Sequence, residues 1–174
     1  CNPASTSYAI TLKKNIITGN SKKIDGIRAD SGKLILSSNT ISSCSRAIIL
    51  SSKVKGTVYP NTFKKNTYNN VKVNSSYVNT LTVKSLSGKS KSAKTATLNW
   101  KKLSSASGYV VYRSASKNGS YTKISTIKKN KTITYKDSKL KRKSTYYYKI
   151  VPYTTIGKTT VYGLDSKIVS IKIK

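Results

Sequence analysis

The chain has 174 residues, enough for one medium domain or two small ones, and it carries 34 Lys and Arg against four acidic residues, for a formal net charge of +30. It contains no His and no Glu, which excludes imidazole bases, histidine metal sites and Ser–His pairs within it. No stretch approaches the roughly 20 apolar residues of a membrane helix. We therefore expect no membrane span, no metal and no other cofactor.

Three similar phrases follow one another in the first part of the chain: ITLKKNII at 10–17, LILSSNTI at 34–41 and GTVYPNTF at 56–63. Each combines a strand of period two, a polar corner with Asn and a second short strand. A third apolar patch follows each phrase or separates it from the next, at 24–27, 47–50 and 71–73. Three short strands in each repeat of about 22 residues predict a solenoid coil without helices.

Stacked coils would place equivalent residues above one another, about 4.8 Å apart. The predicted inner columns are Leu12–Leu36–Val58 and Ile17–Ile41–Phe63. The corner residues are Asn15, Asn39 and Asn61. Asn tolerates left-handed backbone angles, and its side-chain amide can bond the copy above it, so we assign these three a structural role.

The stretches LKKNIITGN…IDGIRAD, LSSNTIS…SRAIIL and VYPNTFKKN resemble the right-handed parallel β-helix family with the pectin-lyase-like fold. The resemblance covers residues 1–75 and implies the C-terminal coils of a longer solenoid, with further coils before Cys1. A β-sandwich with Asn-rich turns is the alternative. Cys1 and Cys44 could form one disulfide, although the surroundings of Cys44 favour a small buried residue.

The pattern changes after residue 75. A Ser-, Asn- and Lys-rich connector includes a predicted linker at 76–80 and a short strand at 78–83. Further strands are predicted at 95–100, 108–114, 121–127, 132–137, 144–153 and 166–173, with an Asn-Gly hairpin turn at 117–120. Seven short strands at about ten-residue spacing predict an antiparallel β-sandwich over 81–174.

The stretches LNWKKLSSASGYVVYRSASKNGSYTKI and YKDSKLKRKSTYYYKIVPY resemble a fibronectin type III domain of the bacterial extracellular kind. The resemblance implies that Trp100 is the core tryptophan, and that Leu140 and Tyr146 form the tyrosine corner. Tyr146, Tyr148 and Ile150 would then point inward, and Tyr147, Lys149 and Val151 outward. Pro152 departs from the family pattern and requires a bulge or solvent at its missing N–H.

Catalytic residues are scarce. Asp25, Arg28 and Asp30 fall in one predicted coil and resemble, in a reduced form, the acidic and basic residues of polysaccharide lyases on β-helix folds. Turn and surface roles explain them better, so we predict no catalytic residues in the chain.

Basic residues lie beside tyrosines in the second part. Aromatic rings stack on sugars, and lysine binds carboxylate, sulfate or phosphate, so Tyr112, Arg113, Tyr147 and Lys149 form a candidate carbohydrate or polyanion site. The alternative is that these tyrosines cover the sandwich. We predict a non-catalytic binding or scaffolding region of a secreted or cell-surface bacterial protein, with an acidic glycan as partner and no specific nucleic acid. The alternative function is the accessory C-terminal part of a polysaccharide lyase or other glycan-degrading enzyme.

Overall fold

A computed structural model describes residues 9–19 and 25–174. These residues form eighteen β-strands and no helix, so the predicted all-β class is confirmed. The chain folds into two compact units. The first comprises Cys1–Thr80 and Thr154–Tyr162, and the second comprises Leu81–Tyr153 and Gly163–Lys174.

The first unit contains three sheets built from parallel strands. One sheet joins β1 (Ala9–Lys13), β4 (Gly32–Ser37) and β7 (Val54–Val58). The next joins β2 (Ile16–Thr18), β5 (Thr40–Ser42) and β8 (Thr62–Lys64). The last joins β3 (Ile27–Ala29), β6 (Arg46–Leu50) and β9 (Tyr68–Val73). Each sheet therefore takes one strand from each of the three sequence repeats. Ile24, expected in the first apolar patch, lies outside the described residues.

The strand register confirms the predicted columns, whose members pair in the order Leu12, Leu36, Val58 and in the order Ile17, Ile41, Phe63. Leu36 and Ile41 in the middle copy are fully buried. The middle strand β4 has a parallel neighbour on each side, and both edges are covered. In β1, by contrast, Ile10 is 61% exposed.

A fourth parallel strand joins the first sheet from far along the chain. β17 (Thr159–Tyr162) pairs with β7. The buried Thr159 hydroxyl donates to the carbonyl of Val54 at 2.9 Å, and the rings of Tyr59 and Tyr162 stack with centroids 5.0 Å apart. The predicted first domain, residues 1–75, therefore omits a segment that the structure places in the first unit.

The left-handed residue at the first corner is not the asparagine. Lys14 and Ser38, which precede Asn15 and Asn39, have φ of 58° and 55°. The asparagine comes directly after the turning residue, and from this position its side-chain amide reaches the equivalent asparagine of the next repeat. In the third copy the preceding residue is Pro60, whose ring fixes φ near −65°.

The predicted linker at 76–80 begins with a strand instead. β10 (Ser76–Val78) pairs antiparallel with β9 and buries Val78. The strand predicted at 78–83 is wrong, since beyond Val78 only Thr82 makes a bridge, to Leu164.

The second unit contains two antiparallel sheets. One has three strands, β11 (Ser87–Lys89), β12 (Ala96–Asn99) and β15 (Thr134–Asp137). The other joins β13 (Gly108–Ser114) to β14 (Thr122–Ile127) and β16 (Thr145–Ile156), and β16 to β18 (Val169–Lys172). β16 belongs to this unit as far as Tyr153. The sequence pattern predicts seven strands, and the structure has seven in this unit. The first of them, β11, lies in the stretch that the sequence pattern assigns to the connector.

Alternate residues of these strands build the core. Leu98, Tyr109, Val111, Tyr148 and Ile150 are fully buried in it. Burying large apolar side chains of this kind contributes roughly 1.5–3 kcal/mol each. The alternation of β16 follows the prediction, but Val151, expected to be outward and exposed, is only 7% exposed.

Two local predictions come out differently. Neither Asn118 nor Gly119 has positive φ, and the turn instead closes with a hydrogen bond from Gly119 N–H to the Ser116 carbonyl. Pro152 accepts a hydrogen bond from Gly163 N–H, while Ile150 N–H bonds the Ser166 hydroxyl. The edge of β16 at Pro152 therefore faces the irregular segment 163–168, where a missing N–H is tolerated.

Candidate functional site

The Lys149 ammonium lies in a cage of its own neighbours. Tyr112 and Lys149 are directly paired on β13 and β16. The Lys149 Nζ is 5.7 Å from the ring centroid of Tyr112 and 4.7 Å from that of Tyr121. It also donates to Asp165 Oδ2 at 2.7 Å. Both cation–π and ion-pair partners are therefore supplied from within the chain.

This cage bears on the two interpretations of the tyrosines, as a binding site or as a cover of the sandwich. The Lys149 side chain is 21% exposed, and its charge is already compensated by Asp165. Burial raises the pKa of the Tyr121 hydroxyl, with smaller contributions from Tyr147 and Asp165. The rings of Tyr112 and Tyr121 pack around Lys149 and cover the sheet. Because the Lys149 charge is already paired with Asp165, this cluster offers little free positive charge to an external anion. The geometry favours a covering role for this cluster.

Arg113 is not part of the same surface. Successive side chains of a strand point to opposite faces. Arg113 accordingly lies on the core side, where its Nη1 is 3.0 Å from Asp137 Oδ2, and its guanidinium stands 5.4 Å from the Tyr146 ring centroid. The predicted four-residue site is therefore split, with Arg113 on one face of the sheet and Tyr112, Tyr147 and Lys149 on the other.

The Arg113–Asp137 pair belongs to a polar network centred on the buried Asp137 carboxylate. Tyr148 donates its hydroxyl hydrogen to Asp137 Oδ2 at 2.9 Å. Burial, reinforced by the hydrogen bond to Asp137, raises the pKa of Tyr148 far above its usual value. The carboxylate thus satisfies both a guanidinium and a phenol, and the network stabilises the interior.

Leu140 and Tyr146 form the corner that the resemblance implies. The Tyr146 hydroxyl accepts a hydrogen bond from Lys141 N–H at 3.3 Å, and Leu140 is buried in the core. Trp100 is also in the core, and its ring meets Tyr109 edge-on with centroids 5.4 Å apart. The Tyr109 hydroxyl in turn accepts from Leu103 N–H at 2.9 Å.

The first unit carries a ladder of amides. Asn39 Oδ1 accepts from the backbone N–H of Asn15 at 3.0 Å and from its side-chain amide at 3.1 Å. Asn61 Oδ1 accepts from the same two groups of Asn39, at 2.9 Å and 3.0 Å. Asn39 Nδ2 also donates to the Leu12 carbonyl at 2.9 Å, and Asn39 is fully buried. The recurrence of Asn is thereby accounted for by hydrogen bonds between copies.

Sequence reasoning missed a second ladder. Asn66 Oδ1 accepts from Cys44 N–H at 2.9 Å, and Asn66 Nδ2 donates to the Ile41 carbonyl at 2.9 Å. Cys44 is a buried free thiol that occupies the position of an asparagine in this corner. The signal was present in the endings ITGN, ISSC and FKKN, which recur at the repeat spacing. Cys1 lies outside the described residues.

Arg28 compensates the two carboxylates of the first unit. Its Nη1 is 3.3 Å from Asp25 Oδ2 and its Nε is 3.7 Å from Asp30 Oδ1. The guanidinium is shared between two acids on an exposed edge, as in the surface role expected for it. Within the described residues, no group of three acidic, Cys or His side chains could hold a metal ion.

No protein-family model matches the chain, and no curated protein matches it. The chain is similar to an Fn3-like protein from Clostridium thermocellum, known from a crystal structure. The two sequences are 30% identical, and the match covers 52% of this chain and 88% of that protein's chain, with a TM-score of 0.44. The second unit is a fibronectin type III domain. Through it the chain belongs to that family.

Two other matches share lower identity. The sixth fibronectin type III domain of human fibronectin type III domain containing protein 3 is 19% identical over 57% of this chain and 90% of its own, with a TM-score of 0.46. A β-1,2-glucanase from Parabacteroides distasonis is 17% identical over 55% of this chain and 12% of its own, with a TM-score of 0.43.

The fibronectin type III domain has many cations and few acids. Its two carboxylate side chains, Asp137 and Asp165, are already paired with Arg113 and Lys149. On the outer face of the three-stranded sheet, Lys89 and Lys136 flank Thr97 in one row. A cleft of ≈ 530 Å³ lies beside Asp165, lined by residues 82–86 and Lys167. In the described part of the chain there is no helix that could cross a membrane.

Proposed function

We propose that the chain is a non-catalytic binding and scaffolding region of a secreted or cell-surface bacterial protein, and that its partner is an acidic polysaccharide. One observation carries the proposal. The chain has 34 basic and four acidic side chains, and all four carboxylates are engaged internally by Arg28, Arg113 and Lys149. The remaining basic side chains among the described residues have no acidic side chain left to pair with.

Such a surface creates a positive potential of several kT, which concentrates polyanions around the protein. Each anionic group that a lysine neutralises releases a condensed counterion, so binding weakens as salt rises. Fibronectin type III domains carry no dedicated nucleic-acid motif, and this favours a polysaccharide over DNA or RNA as the polyanion.

We propose further that the first unit is a short parallel β-helix with the pectin-lyase-like fold. Three observations support this: strands of successive repeats pair in parallel, equivalent side chains are in register, and amides stack between copies. A rigid stack of this kind suits a scaffold, since each coil rests on its neighbours.

Retention on immobilised polygalacturonate tests the proposal, and the fully methyl-esterified polymer is the matched neutral control. We expect retention only on the acidic form at about 0.15 M salt, with affinity falling steeply above it. Equal retention on both forms would refute a charge-based partner. Tighter binding to duplex DNA than to polygalacturonate at the same salt would replace the polysaccharide with nucleic acid.

A further inference from the structure

Three segments that are distant in sequence meet at one end of the fibronectin type III domain. The turn 139–143 follows β15, the segment 91–94 precedes β12, and the last strand runs alongside. Leu140 N–H donates to the Lys94 carbonyl at 3.0 Å, and Lys143 N–H donates to the Ile173 carbonyl at 2.9 Å. Backbone hydrogen bonds therefore hold this end together.

Six exposed cations project from this end, and we name them the basic end: Lys91, Lys94, Lys139, Lys141, Arg142 and Lys143. No acidic side chain lies in the segments that supply them. The nearest in sequence, Asp137, is buried and engaged with Arg113 and Tyr148. No acidic side chain of these segments therefore offsets the repulsion among the six charges.

Three lysines of the basic end have left-handed backbone angles, as several residues at the corners of the first unit also do. Lys94, Lys139 and Lys143 have φ of 59°, 60° and 62°. Left-handed angles are uncommon outside glycine, and Asn and Asp take them up more readily than lysine does. Strained residues cluster at binding sites, where surrounding structure holds them in place. Here the strained positions are all occupied by cations, although glycine would fit the backbone with less strain.

We propose that the basic end is the site at which the acidic polysaccharide binds, with its cations neutralising successive carboxylate or sulfate groups. This rests on the proposed function and assigns it to residues other than the Tyr112–Lys149 cluster, whose cation is already paired. A chain of closely spaced anions removes the repulsion among the six cations, and several weak contacts to one polymer add together.

The opposite ends of β12 and β15 supply a matched control. Lys101 and Lys102 follow β12, and Lys128, Lys129 and Lys131 precede β15. These lysines are also exposed, but none of them has positive φ. A site built only from net charge would use the two ends equally.

The test compares two triple variants of the full chain, K91Q/K141Q/R142Q at the basic end and K101Q/K102Q/K128Q at the opposite end. Both lose three charges, and neither alters a core residue or a position of positive φ. Circular dichroism and Trp100 fluorescence verify folding. Dissociation constants are measured on polygalacturonate and on a sulfated polysaccharide across a salt series.

We expect the basic-end variant to bind at least tenfold more weakly than the control variant at about 0.15 M salt, with a salt slope smaller by roughly one for each lost contact. Equal losses in the two variants would overturn the assignment while leaving the proposed function intact. Failure of the unmodified chain to bind either polymer would overturn both. The polymer for which the basic-end variant loses more affinity shows whether carboxylate or sulfate is the group recognised.

Discussion

Replacing Asn39 by Ala removes the central rung of the amide ladder. The Asn39 side chain takes part in four hydrogen bonds: two accepted from Asn15, one donated to the Leu12 carbonyl and one donated to Asn61. Asn39 is fully buried, so water cannot replace these partners without opening the stack.

The expected loss follows from that count. Each neutral hydrogen bond contributes about 1 kcal/mol net, and a buried group left without a partner costs about 1–3 kcal/mol. The Asn15 side chain lies at an exposed corner and can turn to solvent, whereas the bonds that join the Asn15 N–H and the Leu12 carbonyl to Asn39 are part-buried. We therefore expect the free energy of unfolding of the first unit to fall by about 3–4 kcal/mol.

Urea unfolding followed by far-UV circular dichroism measures the loss, and Trp100 fluorescence reports the second unit in the same samples. Asn15→Ala is the matched control, because the exposed Asn15 side chain makes one of the four bonds and its removal leaves the bonds of Asn39 to Leu12 and Asn61 intact. We expect it to cost about 1 kcal/mol. A loss below about 1 kcal/mol for Asn39→Ala, or equal losses in the two variants, would refute the role of the ladder.

Three further outcomes are expected. Asp137→Ala should destabilise the second unit by about 3 kcal/mol in Trp100-monitored unfolding, the low end for a broken buried pair because the Arg113 side chain is still 33% exposed. Asp137→Asn, which keeps an acceptor for Tyr148, should cost less. The pKa of Tyr148 is raised above its usual 10.0, so the stability that its neutral phenol contributes is complete below that pH and is lost as pH rises beyond it; in Tyr148→Phe this alkaline decline should be smaller. Gly26→Ala should destabilise the first unit by about 2–3 kcal/mol in the same circular dichroism assay, since a Cβ at Gly26 would lie 2.4 Å from Cγ2 of the fully buried Ile41.

The repeat architecture was predictable because its signal is periodic. Asparagines recurring after 24 and 22 residues mark equivalent positions in the three repeats, and counting from them puts equivalent side chains in register. The two columns headed by Leu12 and Ile17 followed from that alone. The position of the left-handed residue did not, because the pattern shows that a corner is polar without showing which residue turns.

The strand β17 had no signal that sequence reasoning could use. The hydrogen bond from Thr159 to the Val54 carbonyl joins residues 105 positions apart. The stretch TTIGKTTVYG looks like an ordinary hairpin, and its local pattern does not reveal that it pairs with a parallel sheet. Contacts of such separation depend on tertiary packing, which period and propensity do not encode.

The split of the predicted four-residue site could have been found from the sequence. Tyr112 and Arg113 are consecutive on a strand, so the alternation of side chains already places them on opposite faces. The partner of Lys149 could not have been found in this way. Asp165 lies in an irregular segment 16 residues further along, where no periodicity relates it to β16.

Salt separates the interactions that hold this chain together from those that we propose it uses for binding. The interior depends mainly on neutral amide ladders and an aromatic core, whose strength changes little with ionic strength. Its ion pair, Arg113–Asp137, is screened less than a surface pair because Asp137 is buried. The exposed lysines repel one another, and screening over about 8 Å at physiological salt reduces that repulsion. Raising salt should therefore increase the free energy of unfolding while it weakens polysaccharide binding. Stability that fell together with affinity would mean that surface ion pairs, rather than the buried amides, hold the fold.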